Sequence, residues 1–554
     1  MSENPVRILI PEGRTLKAAE AQELGMIDAL ADDPLSAART MALPDRLATA
    51  MLPEPATDPD AVAAARDAVA KRRPHQIAPQ TAIDLVEAAA CLPLTEALRI
   101  ERAAFLDLRT NDQAAALRHL FFAERAAMAQ GREDGADIAR AVVVGGGNMG
   151  TGIAYALAQV GIMVTLLETD RKGVDRARAN VAALYDQAVK RGKTSAADAR
   201  AALSTRHSFH IGYEHLPPAD IAIEAVFEDM EVKRHVFAAL DAALPDNAIL
   251  ATNTSYLNVN RIAETVRNPL RFLGLHFFSP AHLMKLVEVV CADTTSPETL
   301  ASVMRLAARL KKVPVLAGVC DGFIGNRILT RYRQTCDIML IEGALPAQVD
   351  AAMRGFGMAM GPYEVQDLSG LDIAYANRKR MGWKDKPGFR YISIADCVVE
   401  ETGRLGRKTS AGWYDYTDGK PTPSPRINGI VTRESARAGI TRRTFTDEEI
   451  VDRVAAAIVE EGFRILQEGI AEKSANIDLV LVHGYGFPRW RGGPMHWAGR
   501  KGLSTILHHI EELAAEDPLS WGAPALLRQA VAEGKTPEEL EPQDLRNNRL
   551  EQNR

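Results

Sequence analysis

The sequence predicts an α/β domain built on a doubly wound parallel sheet, preceded by helices and followed by two all-helical domains. Three observations carry this. Between residues 138 and 318, short β-branched runs alternate with helical stretches, the pattern of βαβ units that bury a parallel sheet. Beyond Gly322 helical spacing takes over. Within that helical half an ordered set of residues occurs twice, the mark of a repeated unit.

Size and composition agree. At 554 residues the chain is too long for one core, and roughly 150 residues per domain gives about three to four domains. Apolar residues at 47% and charged residues at 25% are ordinary for globular chains and exclude disorder, collagen and coiled coil. Lys and Arg number 66 against 72 Asp and Glu, a net charge of −6. No global basic field is available to hold nucleic acid or an anionic membrane. Cys91, Cys291, Cys320, Cys336 and Cys397 lie far apart without a CxxC, which argues against a disulfide framework or zinc knuckle and fits a reducing compartment. The histidines show no HExxH-like spacing, and no metal is expected. The start, MSENPVRILIPEG, lacks the pattern of a secretory signal, and no run of about 18 apolar residues suggests a transmembrane helix. A cytoplasmic location is therefore the expectation.

Residues 1–45 read as a strand, Val6 to Ile10, then small helices, with Asp33 or Ser36 capping DDPLSAARTMA. Residues 46–137 read as a helical linker. It is rich in Pro, Asp and Ala up to residue 80 and helical from Ala82 to Gln130, with Phe121-Phe122 as a docking apolar pair. A new texture starts at Ile138. IARAVVVGGG is a strand ending in glycines, followed by a helix, a Gly161 stop and a second strand, IMVTLLE. Further strands are expected at Ile221–Val226, Ala248–Thr252, Phe272–His276 and Leu286–Val290.

Gly145-Gly146-Gly147-Asn148-Met149-Gly150 fits GxGxxG between a strand and a helix, which makes this a Rossmann-type turn. The first glycine permits the turn, the second lets backbone N–H groups approach a pyrophosphate, and the third lets helix and strand pack. The helix N-terminus adds partial positive charge. Glu168 ends the second strand, 18 residues past Gly150. A carboxylate there bonds the adenosine ribose diol and repels a 2′-phosphate, so NAD is favoured over NADP. Arg171, three residues on, works against that preference.

Two segments downstream carry reactive groups: Ala251-Thr252-Asn253-Thr254-Ser255, and Gly274 to Pro280 followed by Lys285 to Val290. His276 ends one apolar run, and Glu288 lies inside another, where a carboxylate is costly unless paired. Adjacent strands would bring them together, with Glu288 on one imidazole nitrogen and the other free to act as a base. Taken singly, each residue also fits a purely structural role.

In the helical half, Glu342-Gly343, Asp350, Gly355-Phe356-Gly357 and Gly361-Pro362 recur as Glu468-Gly469, Asp478, Gly484-Tyr485-Gly486 and Gly493-Pro494, at offsets of 126–132 residues. This predicts two related helical domains, 319–416 and 417–554, after a dinucleotide domain at 138–318. Trp490 to Pro494 reads as a packed loop, and residues 536–554 as a loosely held tail.

The motifs VVVGGGNMGTGIA, IEAVFEDMEVK, ATNTS, GLHFFSPA, KLVEVV, DGFIGNR, GFGMAMGPYEVQD and GYGFPRWRGGPM occur in this order. They resemble the L-3-hydroxyacyl-CoA dehydrogenases of fatty-acid β-oxidation, in particular the dehydrogenase half of multifunctional enzymes with two C-terminal helical domains. The resemblance implies NAD as cofactor and oxidation of L-3-hydroxyacyl-CoA to 3-oxoacyl-CoA. It implies His276 as base, Glu288 as its orienting acid, and Ser255 and Asn326 as contacts to the substrate oxygen. Gly145, Gly147, Met149, Gly150, Glu168, Val226, Glu228, Lys233, Ser255 and Ser279 would line the cofactor. Ser279 stands where the family commonly has Asn, and Glu168 where it commonly has Asp. Lys190, Arg191 and Lys193 are candidates for the coenzyme A phosphates, although basic residues at a helix end are commonly just solvated. Residues 1–45 resemble the end of a crotonase domain without its catalytic part, so hydratase activity is expected to be absent. A homodimer and a thiolase partner are implied in the same way. A non-catalytic scaffold of a β-oxidation complex and a β-hydroxyacid dehydrogenase acting on a non-CoA substrate are the alternatives.

Overall fold

A computed structural model describes residues 13, 15–24, 26–41, 58–130 and 135–540. The expected strand Val6–Ile10 and all but the first five residues of the expected tail lie outside them. The chain divides into two units, residues 1–115 and 116–554.

In the first unit the helices are Ala18–Glu23, Pro34–Thr40, Pro59–Arg72, Ile77–Cys91 and Leu94–Thr110. Asp33 caps the second, accepting from the Leu35 and Ser36 N–H groups, as its place before the apolar run predicts. Arg66 joins Asp84 at 2.6 Å and Glu87 at 3.0 Å, tying helix Pro59–Arg72 to helix Ile77–Cys91. Helix Asp112–Ala129 runs on into the second unit, where it buries Ala116 and Leu120, while Phe121 and Phe122 stay exposed rather than docked.

The second unit opens on an eight-stranded sheet: β1 Arg140–Val144, β2 Met163–Glu168, β3 His207–Ile211, β4 Ile221–Glu224, β5 Ile249–Thr252, β6 Phe272–Phe277, β7 Leu286–Val290 and β8 Val313–Ala317. Their order is β3-β2-β1-β4-β5-β6-β7-β8. All pairings are parallel except β6–β7, which is antiparallel. Successive side chains alternate between faces. Val142, Val144, Ala222, Leu250, Phe272 and Leu286 join the core shared with the C-terminal helices. Ala141, Val143, Ile221, Ala251, Leu273 and Val287 join a second core, against helices Asn148–Gln159 and Pro297–Arg309.

The strands at the two ends of the sheet were not expected. β3 is largely polar and half-exposed, as an edge strand can be. β8 carries Pro314, tolerable only because an edge strand can spare an N–H. The helical half likewise contains a hairpin, Tyr414–Thr417 with Lys420–Pro423. Its turn, Asp418-Gly419, places both residues at positive φ, the conformation that this dipeptide favours.

In the helical half, helix Gly325–Glu342 packs against helix Asp447–Gln467. Several ion pairs join these two helices, Arg327 with Glu461 and Arg331 with Glu460 among them, and two of the contacts are related by the repeat. Arg327 bonds Glu468 at 2.6 Å, and Arg453 faces Glu342 at 3.6 Å. Both arginines and both glutamates are 126 residues apart, so the two contacts exchange under the repeat. Trp490 to Pro494 is a packed loop: Arg491 lies over the Phe356 ring and bonds the Phe356 carbonyl at 3.0 Å. No helix among the described residues is long and apolar enough to cross a membrane.

Candidate active site

At the carboxyl end of β1, Gly145 has φ +98°, and a Cβ there would lie 2.7 Å from the Ala225 carbonyl. A Cβ on Gly150 would overlap the Gly145 carbonyl. A Cβ on Gly147 would meet nothing within 4 Å. Gly147 is also the N-cap of helix Asn148–Gln159 and offers no side-chain cap, so the first N–H groups of the helix face that open space. Glu168, at the end of β2, is mostly buried, and its Oε1 accepts the Gly146 N–H at 2.6 Å. A ribose diol is the kind of ligand such a carboxylate would take. This is the cradle a pyrophosphate and adenosine need, and the residues fit a dinucleotide. Arg171 pairs with Asp175 at 3.2 Å, and Arg176 approaches Glu168 at 3.6 Å. Met149 is half-buried on the first turn of the helix.

A buried network braces the next loop. Lys233 is 1% exposed and bonds Glu224 at 2.6 Å and Glu228 at 3.2 Å. Glu224 also accepts from the Val226 N–H at 2.8 Å and the Thr252 hydroxyl at 2.6 Å. Glu228 Oε1 accepts from the Thr254 hydroxyl and from the Ser255 and Tyr256 N–H groups at 2.6, 2.9 and 3.0 Å. Burial alone would raise the Glu228 carboxyl, but Lys233 and these donors outweigh it and hold it below the usual range. Lys233 thus sits beneath the Val226–Glu228 loop, and Glu228 shapes the loop that presents Ser255. Glu224 was not singled out from the sequence, although an acid ending the apolar run Ile221–Ile223 is the same signal that marks Glu288.

His276 and Glu288 are direct partners across the antiparallel β6–β7 pair. His276 Nδ1 lies 2.8 Å from Glu288 Oε2, and His276 Nε2 lies 3.2 Å from the Ser255 hydroxyl. Glu288 is fully buried. Its other oxygen accepts from the Ile324 and Gly325 N–H groups, at 3.2 and 3.0 Å, at the start of helix Gly325–Glu342. That helix has no side-chain cap of its own, so its positive end stabilises the carboxylate. The carboxylate on Nδ1 favours the tautomer with its proton there, and Nε2 is the ring nitrogen turned toward the Ser255 hydroxyl. Asn326, on the first turn of the same helix, donates from Nδ2 to the Ser255 carbonyl at 3.3 Å. Asn253 accepts the Phe277 N–H at 2.8 Å, pinning the two strand ends together. Phe278 and Phe323 flank the imidazole, with ring centroids 4.5 and 5.8 Å away.

Ser279 is exposed and precedes a cis peptide to Pro280. The turn it opens is held by Lys312, which donates to the Ala281 and Met284 carbonyls at 2.7 and 2.6 Å. Burial pushes the Lys312 ammonium down to about 8. His282 in the same turn is lowered by burial and then by Lys312, Arg191 and Lys193, so two of the three candidate phosphate ligands act on this turn electrostatically. Lys312 and Tyr485 carry no sequence signal for the places they take here. The Tyr485 hydroxyl donates to Asn326 Oδ1 at 2.9 Å.

Comparison with known proteins shows the family. Residues 140–320 match the family model for the 3-hydroxyacyl-CoA dehydrogenase NAD binding domain. Residues 322–416 and 450–541 each match the model for the C-terminal domain of the same enzymes. The chain is 37% identical over 543 residues to the peroxisomal bifunctional enzyme of Cavia porcellus, covering 92% of this chain and 74% of that protein. It is 32% identical over 551 residues to the fatty acid oxidation complex subunit alpha of Psychrobacter cryohalolentis, covering 95% and 76%. Among solved structures, the 3-hydroxybutyryl-CoA dehydrogenase of Escherichia coli superposes with a TM-score of 0.62 at 27% identity, over 72% of this chain and 99% of that one. The expectation of a cytoplasmic protein does not stand: relatives from Cavia porcellus, Danio rerio and Homo sapiens are named as peroxisomal. An organelle address is read by a receptor and need leave no apolar stretch in the chain.

Proposed function

The chain belongs to the 3-hydroxyacyl-CoA dehydrogenase family, and from that premise we propose that His276 is the base that takes the 3-hydroxyl proton of an L-3-hydroxyacyl-CoA, with Glu288 holding its tautomer. NAD, the family's cofactor, would be held by the Gly145–Gly150 turn and Glu168 and would supply the acceptor for the C3 hydride. The observation that carries the reading is the line Ser255 Oγ, His276 Nε2, His276 Nδ1, Glu288, closed by the helix N-terminus behind the acid. As the hydroxyl proton moves to Nε2 the imidazole becomes cationic, and buried Glu288 offsets that charge as an acid does behind any histidine base. Ser255 and Asn326 donate to the oxygen on which charge develops. The turn Gly145 to Gly150 holds the pyrophosphate, Glu168 the ribose, and the Val226–Glu228 loop, braced by Lys233, lines the cleft.

In this reading residues 138–318 hold the cofactor, and 319–416 and 417–554 form the two helical domains. A homodimer and a thiolase partner belong to the same proposal. A relative named as the alpha subunit of a complex supports the partner, and light scattering with and without a thiolase tests both.

The decisive experiment follows NADH absorbance with acetoacetyl-CoA and with a longer 3-oxoacyl-CoA. Turnover of both is expected; a scaffold would turn over neither, and an enzyme for non-CoA substrates would ignore both. His276→Ala is expected to lose turnover by a factor on the order of 10²–10⁴ while binding NAD as before by calorimetry. Near-normal turnover in that variant would remove His276 from the mechanism.

A further inference from the structure

We propose that Tyr485, supplied by the second helical repeat, is a positioning residue for the reaction: its hydroxyl anchors the Asn326 amide, whose facing the Ser255 carbonyl sets, so that N–H groups stay turned toward the reacting oxygen. The inference rests on the reading that Asn326 faces that oxygen.

An amide can flip, exchanging an acceptor for a donor at the same place. The Ser255 carbonyl decides which way the amide faces, and the Tyr485 hydroxyl then pins it there. The Ser255 carbonyl, which only accepts, lies 3.3 Å from Nδ2. The Tyr485 hydroxyl donates to Oδ1 at 2.9 Å. Flipping the amide would set Oδ1 against the Ser255 carbonyl and present an acceptor, not a donor, to an oxygen gaining negative charge. Burial keeps the phenol protonated by raising it well above its ordinary value, so Tyr485 remains a donor wherever the enzyme works.

The surroundings are shaped to admit this ring. A Cβ on Gly325 would overlap it, so only glycine at the start of the Asn326 helix lets the phenol approach. The ring meets Phe278 edge-on, with centroids 5.6 Å apart. A Cβ on Gly484 would fall 2.7 Å from Leu286 of β7, so a second glycine brings the Tyr485 segment up to the strand that carries Glu288. The first repeat has Phe356 at the matching place, which has no hydroxyl to give.

The test is Tyr485→Phe, alone and combined with Asn326→Ala, assayed with 3-oxoacyl-CoA and NADH. The single variant is expected to lose about 3- to 10-fold in kcat, the worth of one directing hydrogen bond, with the KM for NADH and the unfolding midpoint unchanged. In the Asn326→Ala background, the Tyr485 change should add nothing. Wild-type kcat in Tyr485→Phe, or an equal loss with and without Asn326, would overturn the proposal and leave Tyr485 a packing residue. If the wild type turns over no 3-oxoacyl-CoA at all, it is the dehydrogenase reading that fails, and this inference goes with it.

Discussion

The two helical repeats use the same devices for stability and different ones for chemistry. In the first, Asp350 accepts from the Tyr363 and Glu364 N–H groups, at 2.9 and 3.0 Å, and so caps the helix that follows Gly361-Pro362. In the second, Asp478 accepts from the Met495 and His496 N–H groups, at 2.7 and 3.3 Å, and caps the helix that follows Gly493-Pro494. A Cβ on Gly361 or on Gly493 would overlap its aspartate, which is why glycine recurs with the acid. The long helices differ. Helix Asp447–Gln467 caps itself: the Thr446 hydroxyl accepts from the Glu449 N–H at 3.1 Å, behind acids at 447, 448 and 449. Helix Gly325–Glu342 has no such cap and spends its N-terminus on Glu288. A duplicated scaffold has thus kept its structural caps twice and given up one of them to the active site.

The sharpest way to break this comparison is to remove the acceptor at each N-terminus. Glu288→Gln places an amide where two N–H groups and an imidazole N–H all seek an acceptor. One contact becomes donor against donor, and the imidazole tautomer is no longer held. We expect a loss of turnover on the order of 10⁴, the scale found when a histidine base loses its orienting acid. Thr446→Ala removes the corresponding contact in the second repeat. It should cost about 1 kcal/mol of stability and leave kcat alone. Comparable effects of the two variants on kcat would show that both helix ends serve structure only.

The shared device predicts matched losses. Asp350→Ala and Asp478→Ala each strand two buried N–H groups and one side-chain partner, the Tyr414 hydroxyl and the His119 ring respectively. Unmade buried hydrogen bonds cost about 1–3 kcal/mol each, so each variant should lose about 3 kcal/mol or more by denaturant unfolding. A large loss at one site and none at the other would mean that only one repeat depends on its aspartate.

What could be seen in the sequence follows the same division between local and distant causes. The glycine turn and the pairing of His276 with Glu288 were legible because strand periodicity puts residues in known places, and because a carboxylate inside an apolar strand demands a partner. The repeat was legible because its glycines and aspartates sit where backbone geometry admits little else. β3 and β8 escaped notice because edge strands need neither a continuous apolar run nor every N–H. Asp418-Gly419 is a local turn signal for the hairpin. Tyr485 could not be read: 159 residues of chain separate it from Asn326, and an aromatic residue between two glycines looks the same whether or not its hydroxyl has a task.

The smallest expected effect concerns how the second repeat is anchored. Asp350 finds its third partner in the hairpin of its own domain, at Tyr414. The second repeat leans on helix Asp112–Ala129, through His119 on Asp478 and through Glu124, whose Oε1 lies 2.8 Å from His483 Nε2 and also accepts from Arg489. Burial would raise the Glu124 carboxyl, but His483 and Arg489 outweigh it and hold it at about 2, against an ordinary 4.5. A depressed acid stabilises the fold fully above its unfolded value and loses that contribution as pH falls through its folded value. The window is therefore pH 4.5 down to 2. About 2.5 units at 1.4 kcal/mol each, discounted because Arg489 is partly in water, leaves about 2 kcal/mol. Hydrogen exchange followed by mass spectrometry should show helices Asp112–Ala129 and Ser474–Gly484 losing protection together over that window, ahead of Pro346–Phe356 in the first repeat. Glu124→Gln should already lack that protection at neutral pH and gain no further loss on acidification. Equal acid sensitivity of the two repeats in the wild type would show that the linker helix is no special anchor of the second.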